Sequence, residues 1–179
     1  MAKPFLSLFI FSLVLAAAVL GIYLPGWNHG LVFDDLRLND DAIFGRYGSL
    51  LDFKQRMLSY GSFVWIDALT GSRWGLQRLL NIVLHLGAVA ALYALVRELL
   101  LHTRFPEEFE AHPHFGLSRL AAARVAVALF AVNPVAVYAV AYLVQRSIVM
   151  ATLFAALACW AFVRGVVSGR LLWHGLALL

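Results

Sequence analysis

Two carboxylates stand side by side at Asp34 and Asp35, in the stretch GLVFDDLRLNDD that runs from Gly30 to Asp41. That stretch holds four of the ten acids in a chain of 179 residues. A carboxylate within hydrogen-bond reach of a hydroxyl can take its proton as the oxygen attacks. Two neighbouring carboxylates also suit a divalent ion, Mg or Mn, that neutralises a phosphate leaving group. The plainer reading is that Asp34 and Asp35 cap a loop helix in solvent. Asn39, Asp40 or Asp41 reads as the N-cap of a helix around Ala42 rather than as a catalytic group.

Gln145 and Arg146 form a second candidate. A guanidinium at a membrane face can hold a lipid phosphate through a bidentate, charge-assisted contact. Helical spacing puts Tyr138, Tyr142 and Arg146 on one face, which predicts a seat for a phosphate between ring edges and guanidinium. Arg56 and Arg78 are further phosphate-binding candidates. The plain alternative for any of them is casual contact with headgroups. Third, Gln77, Asn81 and His85 recur every four residues, on one helical face. Polar groups inside a bilayer are costly, so the stripe is expected either to line a cavity or to hydrogen-bond between helices. His85 has no carboxylate or second histidine on its face, so it is not expected to ligate a metal. The stretch EEFEAHPHF, with His112 and His114, lacks a metal spacing and reads as a solvated loop.

The elements that must position these residues belong in a membrane. The chain is 63% hydrophobic, with a mean hydropathy of +0.83, well above the roughly 45–50% apolar content of soluble domains. The net charge of +4 is scattered over loops without a basic face or motif, which excludes a nucleic-acid partner. Cys159 is the single cysteine, so no intramolecular disulfide forms.

Residues 5–24 carry no charge and are predicted to span the bilayer as an uncleaved first helix rather than a signal peptide. Residues 25–75 form a long polar loop, expected to fold into short helices on the membrane with tryptophans and tyrosines dipping into the headgroups. Residues 76–101 are the second span and 102–119 a polar connection. A third span at 120–132 ends at Asn133-Pro134, a pair suited to start a new helix. An interfacial helix at 134–145 and a fourth span at 147–163 follow, and 171–179 opens a fifth. Small residues at Ala151, Ala155 and Cys159, and at Ala17 and Gly21, are expected where helices approach closely. The basic residues divide evenly between the two sides, so charge bias does not orient the chain. No apolar run carries paired charges at mid-depth, which disfavours a channel or transporter. The expected fold is therefore all-α: a polytopic bundle of four membrane helices plus the start of a fifth, with a helical outer loop.

Three blocks in order, FDD after the first span, LQRLLNIVLHL opening the second, and NPVAVYAVAYLVQRSIVMATLFAALACWAF, resemble the GT-C superfamily of membrane glycosyltransferases. The nearest likeness is to the amino-terminal part of the transmembrane, TPR-containing O-mannosyltransferases and their bacterial counterparts. Two positions depart from that pattern: Asn133-Pro134 stands where His-Pro is usual, and Arg56-Met57 where Arg-Pro is usual. The resemblance implies a bacterial inner-membrane protein with its first loop facing the periplasm. It implies transfer of a sugar from a polyprenyl-phosphate donor to a hydroxyl, on a protein acceptor. It puts the catalytic acid at Asp34 or Asp35, and makes the chain an amino-terminal portion of a longer enzyme. A reading from another class stays open beside it: a small non-catalytic membrane subunit, or lipid-binding scaffold, of the same ancestry.

Overall fold

The computed structural model describes residues 2–39, 41–48, 53–71 and 73–178. The protein is all-helical, 79% helix, with no strand among the described residues. In chain order the helices are α1 (Ala2–Tyr23), α2 (Asp41–Phe44), α3 (Met57–Thr70), α4 (Trp74–His102), α5 (Glu107–Glu110), α6 (Phe115–Ala131), α7 (Ala136–Val140), α8 (Arg146–Ser168) and α9 (Leu171–Ala177). Tighter 3-10 turns lie at Leu24–Gly26, Phe33–Leu38 and Leu143–Gln145.

Three stretches, Leu6–Gly26, Trp74–His102 and Leu143–Ser168, are long and apolar enough to cross a membrane. A helix satisfies its own backbone polar groups, which lipid cannot do. α4 is the central pillar and packs on α1, α6 and α8. Val19, Ile82, Val127 and Val149 meet in the core between them. The outer faces remain apolar: Phe9 and Leu13 on α1, Val83 on α4, Leu129 on α6 and Phe154 on α8 are all exposed. That surface suits lipid rather than water.

Charged residues mark the two ends of the bundle. Arg78 and Arg146 lie at one end, Glu98 and Arg164 at the other. The twenty steps from Arg78 to Glu98 rise about 30 Å along α4, the thickness of a bilayer core. Glu98 is 2% exposed, and Arg164 Nη1 donates to its Oε1 at 2.8 Å, tying α4 to α8. The Arg164 side chain is half-exposed and can reach water if its partner is removed. Glu98→Ala is therefore expected to lower stability by about 2 kcal/mol, the value of one charge-assisted bond, with Glu98→Gln closer to wild type. Thermal denaturation in detergent measures both.

The polar loop folds over one end of the bundle as a small cap. Leu38, Ile43, Phe63, Leu143 and Val144 form its core, with Tyr47, Tyr60 and Trp74 packed against them. These rings pair with neighbours, Tyr47 on Tyr60 at 5.1 Å and Phe44 on Trp74 at 6.4 Å. The aromatics thus pack into the cap itself, where the sequence predicts contact with headgroups. Gly75 opens α4 beside the Trp27 indole; a Cβ there would lie 2.6 Å from the ring. Asp40, an expected cap, lies outside the described residues.

Several helix boundaries differ from expectation, each for a visible reason. α6 begins at Phe115, earlier than residue 120, because Phe115 packs on Phe105 and under Arg119. Arg119 Nη1 in turn donates to the carbonyls of Leu100 and Leu101, which the end of α4 leaves open. The single helix expected over 134–145 is instead the five-residue α7, an extended Tyr142 (ψ 119°) and the turn Leu143–Gln145. Asn133 Oδ1 does accept from the Val135 N–H, but α7 starts only at Ala136. Gly169, at φ +67°, closes α8 and turns the chain so that α9 packs back on it. Trp173 meets Trp160 there, and His174 meets Phe162.

Candidate functional site

Phe33 enters the Phe33–Leu38 turn in the left-handed region, at φ 50°. For a side chain of that size this costs about 1 kcal/mol, and such positions cluster at functional sites. The two aspartates that follow diverge. Asp34 is exposed, whereas Asp35 is 1% exposed. Asp35 Oδ2 accepts from the Leu143 N–H at 3.1 Å and Oδ1 from the Val144 N–H at 2.9 Å. Its carboxylate therefore clamps the turn that leads into α8, across more than a hundred residues of chain. Burial pushes the Asp35 carboxyl above the ordinary aspartate range. The Val144 and Leu143 N–H groups and the charge of Arg78 pull it back, and Asp34 nearby raises it further.

A cavity of about 460 Å³ opens beside this clamp. Tyr23, His29, Asp35, Arg78 and Tyr142 bring its polar groups, and Ile82 and Val140 part of its apolar wall. Arg78, 8% exposed, donates from Nη1 to Trp27 O at 3.2 Å and from Nη2 to Gly30 O at 3.1 Å. Those bonds use two of the five N–H groups of a guanidinium. They anchor the chain after α1 to α4, and they fix the guanidinium at the cavity wall. The cavity thus holds a carboxylate, a guanidinium, two phenols and an imidazole at one end of an apolar bundle. A phosphate with an apolar tail suits that combination.

The other predicted residues fall elsewhere. Arg146 is fully buried, at 0% exposure, and does not line the cavity. Its Nε donates to Asn81 Oδ1 at 2.7 Å and Nη1 to Ser62 Oγ at 2.7 Å. Nη2 donates to Gln77 O at 3.0 Å and to Gln77 Oε1 at 2.8 Å, and the guanidinium lies 3.7 Å from the Phe63 ring centroid. This arginine locks α3, α4 and α8 together. The Tyr138–Tyr142–Arg146 face expected from helical spacing does not form, because the helix breaks at Tyr142. Gln145 is paired with Tyr138, Nε2 donating to the hydroxyl at 2.9 Å. Arg56 stands at the start of α3, Nη1 donating to Tyr60 OH at 2.7 Å.

The Gln77, Asn81 and His85 stripe is buried along its length. Gln77 Nε2 donates to Phe63 O, and Asn81 Nδ2 to Val140 O and Tyr142 O. His85 Nε2 meets Ala131 O at 3.0 Å, and the ring lines a separate hollow of about 270 Å³. The stripe bonds between elements, and one of its members also lines a cavity. The described residues do not build a metal cage. Both Asp35 oxygens face backbone N–H groups, Asp34 is exposed, and no group of three His, Cys, Asp or Glu residues comes together among the described residues.

Reading by pattern missed Tyr23, His29, Ser62 and Phe63. Tyr23 ends the first span and His29 follows it, as interface residues do, with nothing in their spacing to mark a cavity. Ser62 carried a usable signal, since Ser59 and Ser62 repeat at helical spacing in an otherwise apolar stretch. No family model matches the chain, and comparison with curated proteins and with solved structures likewise gave no match.

Proposed function

We infer that this chain is the membrane-embedded part of a GT-C-type glycosyltransferase. It would take a sugar from a polyprenyl-phosphate donor and pass it to a hydroxyl, on a protein acceptor. The observation that carries the reading is the cavity that Asp35 and Arg78 both line, in a bundle of apolar helices. Arg78 holds the donor phosphate, and Tyr142 and Tyr23 flank it. Asp34, exposed beside the clamped Asp35, is the base that takes the acceptor proton. Arg146 positions the site by holding Asn81, which in turn holds the Val140 and Tyr142 carbonyls. In this topology α6 is the third of four passes, α9 begins a fifth, and the cap faces away from the cytoplasm.

The test is donor binding. Arg78→Gln removes a charge-assisted contact and is expected to weaken binding of a polyprenyl phosphate about tenfold. Equal affinity in the variant would take the donor away from this cavity. One observation favours the second reading, a non-catalytic lipid-binding subunit: both Asp35 oxygens and four N–H groups of Arg146 serve internal structure. Donor binding without any sugar transfer by the protein would support that reading instead.

A further inference from the structure

A second polar hollow lies away from the main cavity and shares no lining residue with it. It is a groove of about 390 Å³ between the start of α3 and the first turns of α8. Arg56, Ser59 and Ser147 supply its polar end, and Met150, Ala151 and Phe154 its apolar end. We propose that this groove seats an anionic membrane phospholipid, with its phosphate on Arg56 and an acyl chain along Met150, Ala151 and Phe154.

Arg56 is prepared for such a contact. Its Nη1 donates to Tyr60 OH at 2.7 Å, and the guanidinium lies 5.5 Å from the same ring's centroid. Those contacts hold an exposed cation in one place, so less side-chain freedom is lost on binding. Backbone geometry adds to this, with Arg56 in the left-handed region at φ 63°. α3 starts at the next residue with no side-chain cap and no acid in its first turn, so its positive end also faces the groove. No acid occurs among the described lining residues, and Lys54 stands at the rim, donating to Arg46 O. A phosphate with net negative charge meets attraction from all of these, whereas the ammonium of a zwitterionic headgroup meets repulsion.

The depth also fits. Ser147 lies in the first turn of α8, and Phe154 about 10 Å further down the same helix. Phe154 is exposed on a helix long and apolar enough to cross a membrane, and Leu58 is exposed at the start of α3 in the cap. A headgroup at Arg56 therefore leaves its chain running along α8 in the bilayer, where a free phosphate would have nothing to cover Met150 and Phe154.

Native mass spectrometry of the full chain in detergent, with phosphatidylglycerol or phosphatidylcholine added, tests this. Wild type is expected to hold one phosphatidylglycerol about tenfold more tightly than phosphatidylcholine. Arg56→Gln should erase that preference, and so should Ser147→Glu, which puts a like charge on the groove floor without touching Arg56. Arg78→Gln should leave it intact, which separates this groove from the donor cavity. Inorganic phosphate at the same concentration should not displace the lipid. Equal binding of the two lipids, or an undiminished preference in either groove variant, would overturn the proposal, as would displacement by inorganic phosphate.

Discussion

Arg146→Ala is expected to cost about 4 kcal/mol or more and to detach the cap from the bundle. The reason is the number of groups that depend on one side chain. Asn81 Oδ1, Ser62 Oγ, Gln77 O and Gln77 Oε1 all accept from it, inside the protein. Ser62 Oγ keeps its bond to Ser59 O and Gln77 O its place in the α4 ladder, but Asn81 Oδ1 and Gln77 Oε1 lose their partner. A buried polar group left so costs about 1–3 kcal/mol, and about 2 for each of these two gives the stated total. The Phe63 ring also loses the cation on its face. Asn81 matters beyond its own bond, because its amide holds the Val140 and Tyr142 carbonyls next to the cavity. Arg146→Lys keeps the charge but cannot fork to three residues at once, so it should recover only part of the loss. Thermal denaturation in detergent should place the alanine variant more than about 10 °C below wild type. A melting temperature unchanged by Arg146→Ala would remove the arginine from its structural role.

The different fates of these residues show what can be read from a sequence of this kind. The spans were legible because lipid imposes a length and an apolar content on each: 76–101 was expected and α4 runs Trp74–His102. The Gln77–Asn81–His85 stripe was legible for the same reason, since polar side chains in a long apolar helix must turn toward partners. Arg146 was not. A charge at the head of an apolar run looks like an interface residue, and its partner Ser62 lies 84 positions away on a helix that no periodicity ties to α8. The break at Tyr142 was hidden likewise. Residues 134–145 keep an apolar helical pattern, but bonds from Asn81 and to Asp35 replace the helix's own ladder there. The many valines and tyrosines of the segment hold a helix only weakly, so several tertiary bonds acting together win. Which of Asp34 and Asp35 is buried was hidden too, because the turn that carries them opens at Phe33 in a left-handed backbone no pattern announces.

Asp34→Asn and Asp35→Asn should fail in different ways, and the contrast separates chemistry from architecture. At Asp35 each carboxylate oxygen accepts one backbone N–H. An amide offers one oxygen and one NH₂ group, so one of the two N–H groups would face another donor. Losing a charge-assisted bond and opposing two donors costs about 2–3 kcal/mol. If the protein transfers sugar, transfer would then fall with stability, through the loosened turn at the head of α8. The pH response should change as well. Burial raises the Asp35 carboxyl in the folded protein, so the protonated form is favoured by folding. That contribution is complete below the unfolded pKa and is lost as pH rises through the raised folded value. Asp35→Asn should remove this part of the pH dependence. At Asp34 the side chain is exposed, and stability should stay within about 0.5 kcal/mol of wild type. If Asp34 takes the acceptor proton, Asp34→Asn should slow transfer by about 10²–10⁴-fold with donor binding unaltered. A folded Asp34→Asn protein that transfers sugar at the wild-type rate would leave the exposed aspartate without a chemical task. The case for catalysis would then rest on the cavity alone, which a lipid-binding subunit explains equally well.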